Sequence, residues 1–258
     1  MTKYICFEGS EGVGKTTQVS KIVAHLKQLG FKVLETKEPG TIHSPLTMEL
    51  RKLMLDSKFN VDGATIQLAE DLSNLLNNPK YQSEFTDTAK DYLNIVLREI
   101  ASTPKMTQSL REVISQAIRH IHLVKVVKPA HSNYDYVIQD RGILSGLAYG
   151  VASGSDYLWM EKMNNKAVVD SCIALNSKEC YTQIIILEGN VSKGLGRALT
   201  AKKEFESGDV MENKGVSFLD QVNENFKEFK LDFKNVLSIN VDDLGIEEVF
   251  QDIKNRIL

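Results

Sequence analysis

Apolar residues follow two rhythms along this chain. Short runs rich in apolar residues, at Tyr4–Phe7, Phe31–Leu34, Tyr134–Ile138, Thr182–Leu187 and Val236–Ile239, have the length of strands buried on both faces. Between them, apolar positions recur every three or four residues. Val19, Ile22, Val23, Leu26 and Leu29 form one such set, and Ile246, Val249, Phe250 and Ile253 form the last. Gly30 stands where a helix C-terminal glycine belongs. Strand, glycine-rich turn, helix and strand in the first forty residues predict a βαβ unit and therefore a parallel sheet covered by helices. From about Ser57 to Lys105 the strand rhythm disappears. Leu68, Leu72, Leu75 and Leu76, then Phe85, Ala89, Tyr92, Leu93, Val96 and Ile100, predict two helices there. The stretch is expected to be a helical hairpin inserted into a single domain spanning 1–258.

The chain has 258 residues, enough for a sizeable core, and a formal charge of −3. Nothing global suggests a nucleic acid or a membrane surface as partner. Three cysteines, Cys6, Cys172 and Cys180, with no C-x-x-C pair, suit reduced thiols better than a disulfide framework or a zinc site. The first ten residues read as a strand rather than a leader, and no apolar run approaches the roughly 20 residues of a membrane span. A soluble, cytoplasmic protein is expected.

The strongest chemical signal is Gly9–Thr16, GSEGVGKT, a match to G-x-x-x-x-G-K-[ST]. Dense phosphate charge is met most economically by backbone N–H groups at a helix N-terminus, and glycines let the backbone approach it. The motif follows a predicted strand and opens a predicted helix, as phosphate binding requires. Gly9, Ser10, Gly12, Val13, Gly14, Lys15, Thr16 and Thr17 are therefore candidates for cradling ATP. Lys15 is expected at the β- and γ-phosphates and Thr16 at Mg²⁺. An aspartate at a strand end, Asp140, followed by Arg141, adds a carboxylate and a cation at the edge where open α/β sheets bind ligands. Arg141 onward is expected to be helical.

With these residues in view, the chain resembles the thymidylate kinase family. The resemblance rests on FEGSEGVGKTTQ at Phe7–Gln18, with Glu11 inside the loop. It also rests on Thr36–Gly40 (TKEPG) followed by Arg51, and on Asp140-Arg141 followed by Ser145, Ala148 and Tyr149. It implies a three-layer α/β/α P-loop fold with a five-stranded parallel sheet and a helical lid at about 198–215. It further implies transfer of the γ-phosphoryl group of ATP to a deoxynucleoside monophosphate, with dTMP the favoured acceptor. By the same resemblance Glu38, Pro39, Arg51, Arg141, Ser145 and Tyr149 would hold the acceptor, and Glu38, Thr16 and Asp140 would lie at the metal. Arg119, in RHIHLVKVVKPA, would bond the base. Arg197 would pack on adenine, and Lys202 and Lys203 would bring charge over the reaction when the lid closes. A homodimer is also implied.

Several positions depart from the family pattern. Ser115, four residues before Arg119, stands where the family usually stacks a phenylalanine on the base, and Ile121 stands where a polar contact is common. Val210 replaces a lid arginine, while Gln221, Asn223 and Asn225 replace arginines of the following helix. Lys37 and the turn Thr41–Pro45 alter the phosphate end. The identity of the base therefore stays open to a modified pyrimidine, dUMP or a broader set of deoxynucleotides. A deoxynucleoside kinase and a nucleotide-binding regulatory module without turnover are the alternatives. A GTPase is disfavoured, since Asn165-Lys166 continues as Ala167-Val168 rather than as N-K-x-D.

Overall fold

A computed structural model describes residues 2–60, 64–200, 210, 211 and 214–257, with Asn60, residue 195 and residues 197–200 described by backbone only. Five parallel strands form one sheet: β1 (Lys3–Glu8), β2 (Val33–Lys37), β3 (Tyr136–Asp140), β4 (Gln183–Glu188) and β5 (Val236–Asn240), in the order β2-β3-β1-β4-β5. Alternate side chains of each strand enter opposite layers. Tyr4 and Cys6 of β1 and Ile184 and Ile186 of β4 meet helices on one face. Ile5, Phe7, Ile185 and Leu187 meet helices on the other. Burial on both faces explains why these strands read as apolar runs without alternation.

Helices α1 (Lys15–Gln28) and α11 (Ile246–Ile257) cover one face. The opposite face carries α7 (Ile143–Ala152), α8 (Tyr157–Ser171) and α10 (Val216–Phe229), while α9 (Val191–Thr200) follows β4. A third core joins α2 (Pro45–Leu55), α3 (Ala64–Asn77), α4 (Asp87–Ser102) and α5 (Gln108–His122). Leu68 and Leu72 of α3 and Leu93 and Val96 of α4 are buried against Leu50 of α2 and Ile114 and Ile118 of α5. Each such side chain contributes roughly 1.5–3 kcal/mol by leaving water. Thr86 and Thr107 cap α4 and α5 by accepting from Ala89 N and Leu110 N. Helix α5 continues through a π-helical turn at Leu123–Val127 into the short α6 (Lys128–Ala130).

Three local expectations shift. Strand β2 begins at Val33 rather than Phe31, because the turn that ends α1 runs on, with Phe31 N donating to Leu26 O. Strand β3 begins at Tyr136 rather than Tyr134. Helix α7 begins at Ile143, since Arg141 adopts a left-handed backbone with φ 61° that breaks the helical path.

The strand order places the functional edge. From β1 the chain moves to β2 on one side, and β3 later crosses back past β1 to β4. The C-terminal end of β1 is therefore the switch point, where a crevice opens. The phosphate loop emerges there.

Candidate active site

The loop after β1 takes the shape its glycines permit. Gly9, Gly12 and Gly14 have φ of 132°, 67° and 94°, and Gly14 hands the chain to α1 without a side-chain cap. The first-turn N–H groups of α1 thus have no side chain capping them and are available to an anion. A Cβ on Gly12 would lie 1.9 Å from the Gly194 carbonyl oxygen of α9, so the loop and α9 approach backbone to backbone. Lys15, only 6% exposed, donates from Nζ to Ser10 O at 2.5 Å. Burial, and then the neighbouring Arg141 cation, bring its ammonium down to about 8. A bound polyphosphate would raise it again by favouring the charged form.

Arg141 and Asp140 close on this loop from β3. The left-handed turn at Arg141 folds its guanidinium back, so that Nη1 donates to Gly9 O at 2.9 Å and Nη2 to Glu11 Oε1 at 2.7 Å. The guanidinium carbon lies 5.0 Å from the centroid of the Tyr149 ring. Ser145 also accepts from Arg141, and its own N–H and Oγ donate to the buried carboxylate of Glu8. Burial works to raise the Glu11 carboxyl, but Arg141 and Lys15 outweigh it and hold the group below its ordinary value.

Thr16 Oγ1 donates to Asp140 Oδ2 at 2.7 Å, while Asp140 Oδ1 is buried with no hydrogen-bond partner. A hydroxyl beside a carboxylate with an orphaned oxygen is a donor set that fits a hard cation such as Mg²⁺. Among the described residues no group of three or more His, Cys, Asp or Glu gathers as a metal cage. A cation held here would take its remaining oxygens from phosphates and water.

One cleft of about 280 Å³ runs from this point to α5. Glu11, Thr16, Asp140, Arg141, Lys37 and Arg51 line its polar mouth, with Glu38, Pro39, Ser145 and Tyr149 alongside. Ser115, Arg119 and Gly146 also line it, as do Met54, Leu55, Arg111, Glu112 and Met211. The residues expected at the acceptor therefore share one space.

Glu38 has a different setting from the one its motif suggested. Its Oε2 accepts from Arg119 Nε at 2.7 Å, and its Oε1 pairs with His122 Nδ1 at 2.9 Å. Both oxygens thus have protein partners. Burial works to raise the Glu38 carboxyl, yet Arg119 and His122 hold it at about 2. Arg119 is 3% exposed and also donates to Asn164 Oδ1 at 2.6 Å and Gly142 O at 3.3 Å. Three of its five N–H groups are so engaged, and two remain for a ligand.

The family departures gain physical reasons. Ile121 is fully buried in the α2–α5 core and does not line the cleft, so an apolar residue fits. Val210 is buried and donates from its backbone to Leu55 O, bringing Met211 over the cleft. Gln221 and Asn225 tie α10 to α7: Gln221 donates to Asn225, whose Nδ2 donates to Ala148 O. Arg197 lies in α9 with its side chain outside the description, and Lys202 and Lys203 lie outside the described residues.

The structure also brings in residues that the motifs omit. Arg111 and Glu112 lie on the cleft side of α5, and His122 and Asn164 brace Arg119 and Glu38. The signal for Arg111 and Glu112 was available. They precede Arg119 by eight and seven residues, about two turns along the same helix.

A parallel sheet with a glycine-rich loop between β1 and α1, and an acid–arginine pair at the tip of β3, define a P-loop nucleotide-binding protein of the α/β/α class. The thymidylate kinase family model matches residues 7–76. A thymidylate kinase of Caldicellulosiruptor saccharolyticus is 26% identical over 264 residues, covering 99% of this chain and 95% of that protein. Those of Halothermothrix orenii (28% over 255 residues, 98% and 95% covered) and Maridesulfovibrio salexigens (26% over 260 residues, 99% and 94%) align similarly. The chain is thus similar to thymidylate kinases over nearly its whole length.

Proposed function

We propose that this protein is an ATP-dependent nucleoside monophosphate kinase whose favoured acceptor is dTMP or a closely related pyrimidine deoxynucleotide. The carrying observation is the shared cleft: Arg51 and Arg141 line the same space as Thr16 and Asp140, one residue from Lys15. Two polyanions can meet only where positive charge separates them, and phosphoryl transfer depends mostly on positioning and charge neutralisation. An oxygen of the acceptor's phosphate attacks the γ-phosphorus in line. A new P–O bond forms as the bond to the β,γ-bridging oxygen breaks, and ADP leaves with that electron pair. The acceptor phosphate is already anionic near neutral pH, so no enzymatic base is needed.

In this reading Lys15 neutralises the β- and γ-oxygens, Arg141 bridges donor and acceptor, and Arg51 and Lys37 hold the acceptor's phosphate. Glu11 keeps Arg141 aimed at the loop until substrates enter. Thr16 and Asp140 would hold Mg²⁺, which when bound supplies further charge neutralisation on the phosphates. The identity of the relatives supports the monophosphate as acceptor over a nucleoside. So does the number of cations at the mouth, which an uncharged nucleoside would not require. Thioether and aliphatic side chains of Met54, Met211 and Leu55 give the base an apolar wall where the family's aromatic is absent. Cysteines that are all free suit the cytoplasmic setting that belongs to the same proposal.

The test is a screen of the common deoxynucleoside monophosphates, and thymidine, with ATP and Mg²⁺, reading ADP formation. Turnover with dTMP and none with thymidine is expected, with Lys15→Ala lowering it about a hundredfold or more on every acceptor. ADP formed with thymidine alone, or with no monophosphate, would overturn the reading.

A further inference from the structure

Among the described residues, each carboxyl at the cleft has an evident occupation save one. Glu11 faces Arg141, Glu38 faces Arg119 and His122, and Asp140 faces Thr16. Glu112 is 5% exposed and lines the cleft, yet it is anchored on one side only. Gln108 Nε2 donates to its Oε1 at 2.6 Å. The same oxygen lies over Gly150 of α7, where an added Cβ would come within 3.1 Å. No described residue offers a hydrogen bond to Oε2. A carboxyl oxygen that the described residues leave unpaired, in a largely buried group that lines the cleft, is placed to bond a ligand there.

The position suits the base. Glu112, Ser115 and Arg119 lie at i, i+3 and i+7 of α5, a stripe about 10 Å long at 1.5 Å per residue. Arg119 is joined to Glu38, and Glu112 lies two turns earlier on α5, lining the same cleft as Met54 and Met211.

We propose that Glu112 reads the acceptor's base as a neutral carboxylic acid, donating its Oε2–H to a ring carbonyl and favouring an oxo-pyrimidine such as thymine over the amino-pyrimidine cytosine. This deepens, and rests on, the monophosphate kinase reading. The bond from Gln108 marks Oε1 as the carbonyl oxygen, which assigns the proton to Oε2. Burial pushes the Glu112 carboxyl up to about 7, against the pull of Gln108, Arg119 and Lys214. Among the described residues, the charged or titratable groups around it are Arg111 and Arg119 of α5, Lys214 ahead of α10, Tyr149 of α7 and, along the cleft, Arg51 of α2. Below that pH the group donates to a carbonyl. Above it the carboxylate only accepts, which repels a carbonyl and welcomes an amino group. A site built to bond one such group discriminates strongly against an analogue that leaves its buried polar atom unpaired.

The experiment compares kcat/KM for dTMP and dCMP between pH 6 and 8.5. Taking their ratio cancels whatever both acceptors share, including the acceptor phosphate and Lys15. In the wild type the dTMP/dCMP ratio is expected to fall about tenfold as the neutral fraction of Glu112 is lost. Glu112→Gln keeps a donor and an acceptor without titrating, so the ratio should stay high and flat with pH. Glu112→Leu, checked for an unchanged melting temperature, should lower dTMP kcat/KM at pH 6 by tenfold or more. Should Glu112→Leu fail to fold, Glu112→Gln decides. A wild-type ratio that is flat or rises with pH, or a Glu112→Gln enzyme that still shows the fall, overturns the proposal while leaving the kinase reading standing. No turnover of any monophosphate by the wild type overturns both.

Discussion

Replacing Glu38 by glutamine tests whether the acceptor pocket is held by a buried ion pair. The substitution keeps the side chain's shape and removes its charge, leaving the Arg119 cation buried beside a neutral amide. The carboxyl's fall from its ordinary 4.5 to about 2 is worth about 3 kcal/mol, at 1.36 kcal/mol per pH unit. Loss of one partner of a buried pair typically costs about 3–5 kcal/mol, in line with that figure. The sign follows from the direction. A depressed carboxyl stabilises the fold fully above about pH 4.5, and the contribution drains away as pH falls toward 2. Glu38→Gln should therefore unfold about 3 kcal/mol more easily in urea at pH 7 and melt roughly 6–12 °C lower for a chain of this size. The gap should shrink to roughly half by pH 3. A double variant, Glu38→Gln with Arg119→Met, should lose less than the sum of the single changes, because the stranded charge is gone. A variant within 1 kcal/mol of wild type at pH 7, or a gap that ignores pH, would refute the account.

Two further substitutions probe close approaches in the site. Gly146→Ala would set a Cβ 2.7 Å from Arg119 Nη2, so Arg119 must move. The acceptor KM should rise about tenfold or more while that for ATP holds, and equal changes in both would argue against Arg119 serving the acceptor. Gly12→Ala meets both a φ of 67° and the Gly194 carbonyl oxygen, forcing the loop away from α9. A left-handed alanine alone costs about 1–2 kcal/mol, and ATP affinity read by a fluorescent analogue should fall by at least that equivalent, tenfold or more. Unchanged affinity would mean that the loop and α9 separate freely.

Local signals were enough for the sheet, the glycine-rich loop and several of the residues that share the cleft. Burial on both faces leaves a parallel strand little choice but apolar residues, and phosphate binding needs glycines, a lysine and a hydroxyl at one fixed spacing. Those constraints act within a dozen residues, so GSEGVGKT and the apolar runs were legible without coordinates. The left-handed turn at Arg141 was not. Nothing local requires it, and its partners Gly9 and Glu11 come from another strand's loop. The inward use of Glu38 was hidden for the same reason, since Arg119 and His122 are more than eighty residues away in sequence. Ser115 and Ile121 read as two departures of one kind. Only the rotation of α5, set by its packing against α2 and α4, turns Ser115 to the cleft and Ile121 to the core. Which residue type occurs at each position belongs to the chain; which side chains face each other across a cleft belongs to the packing of helices distant in sequence.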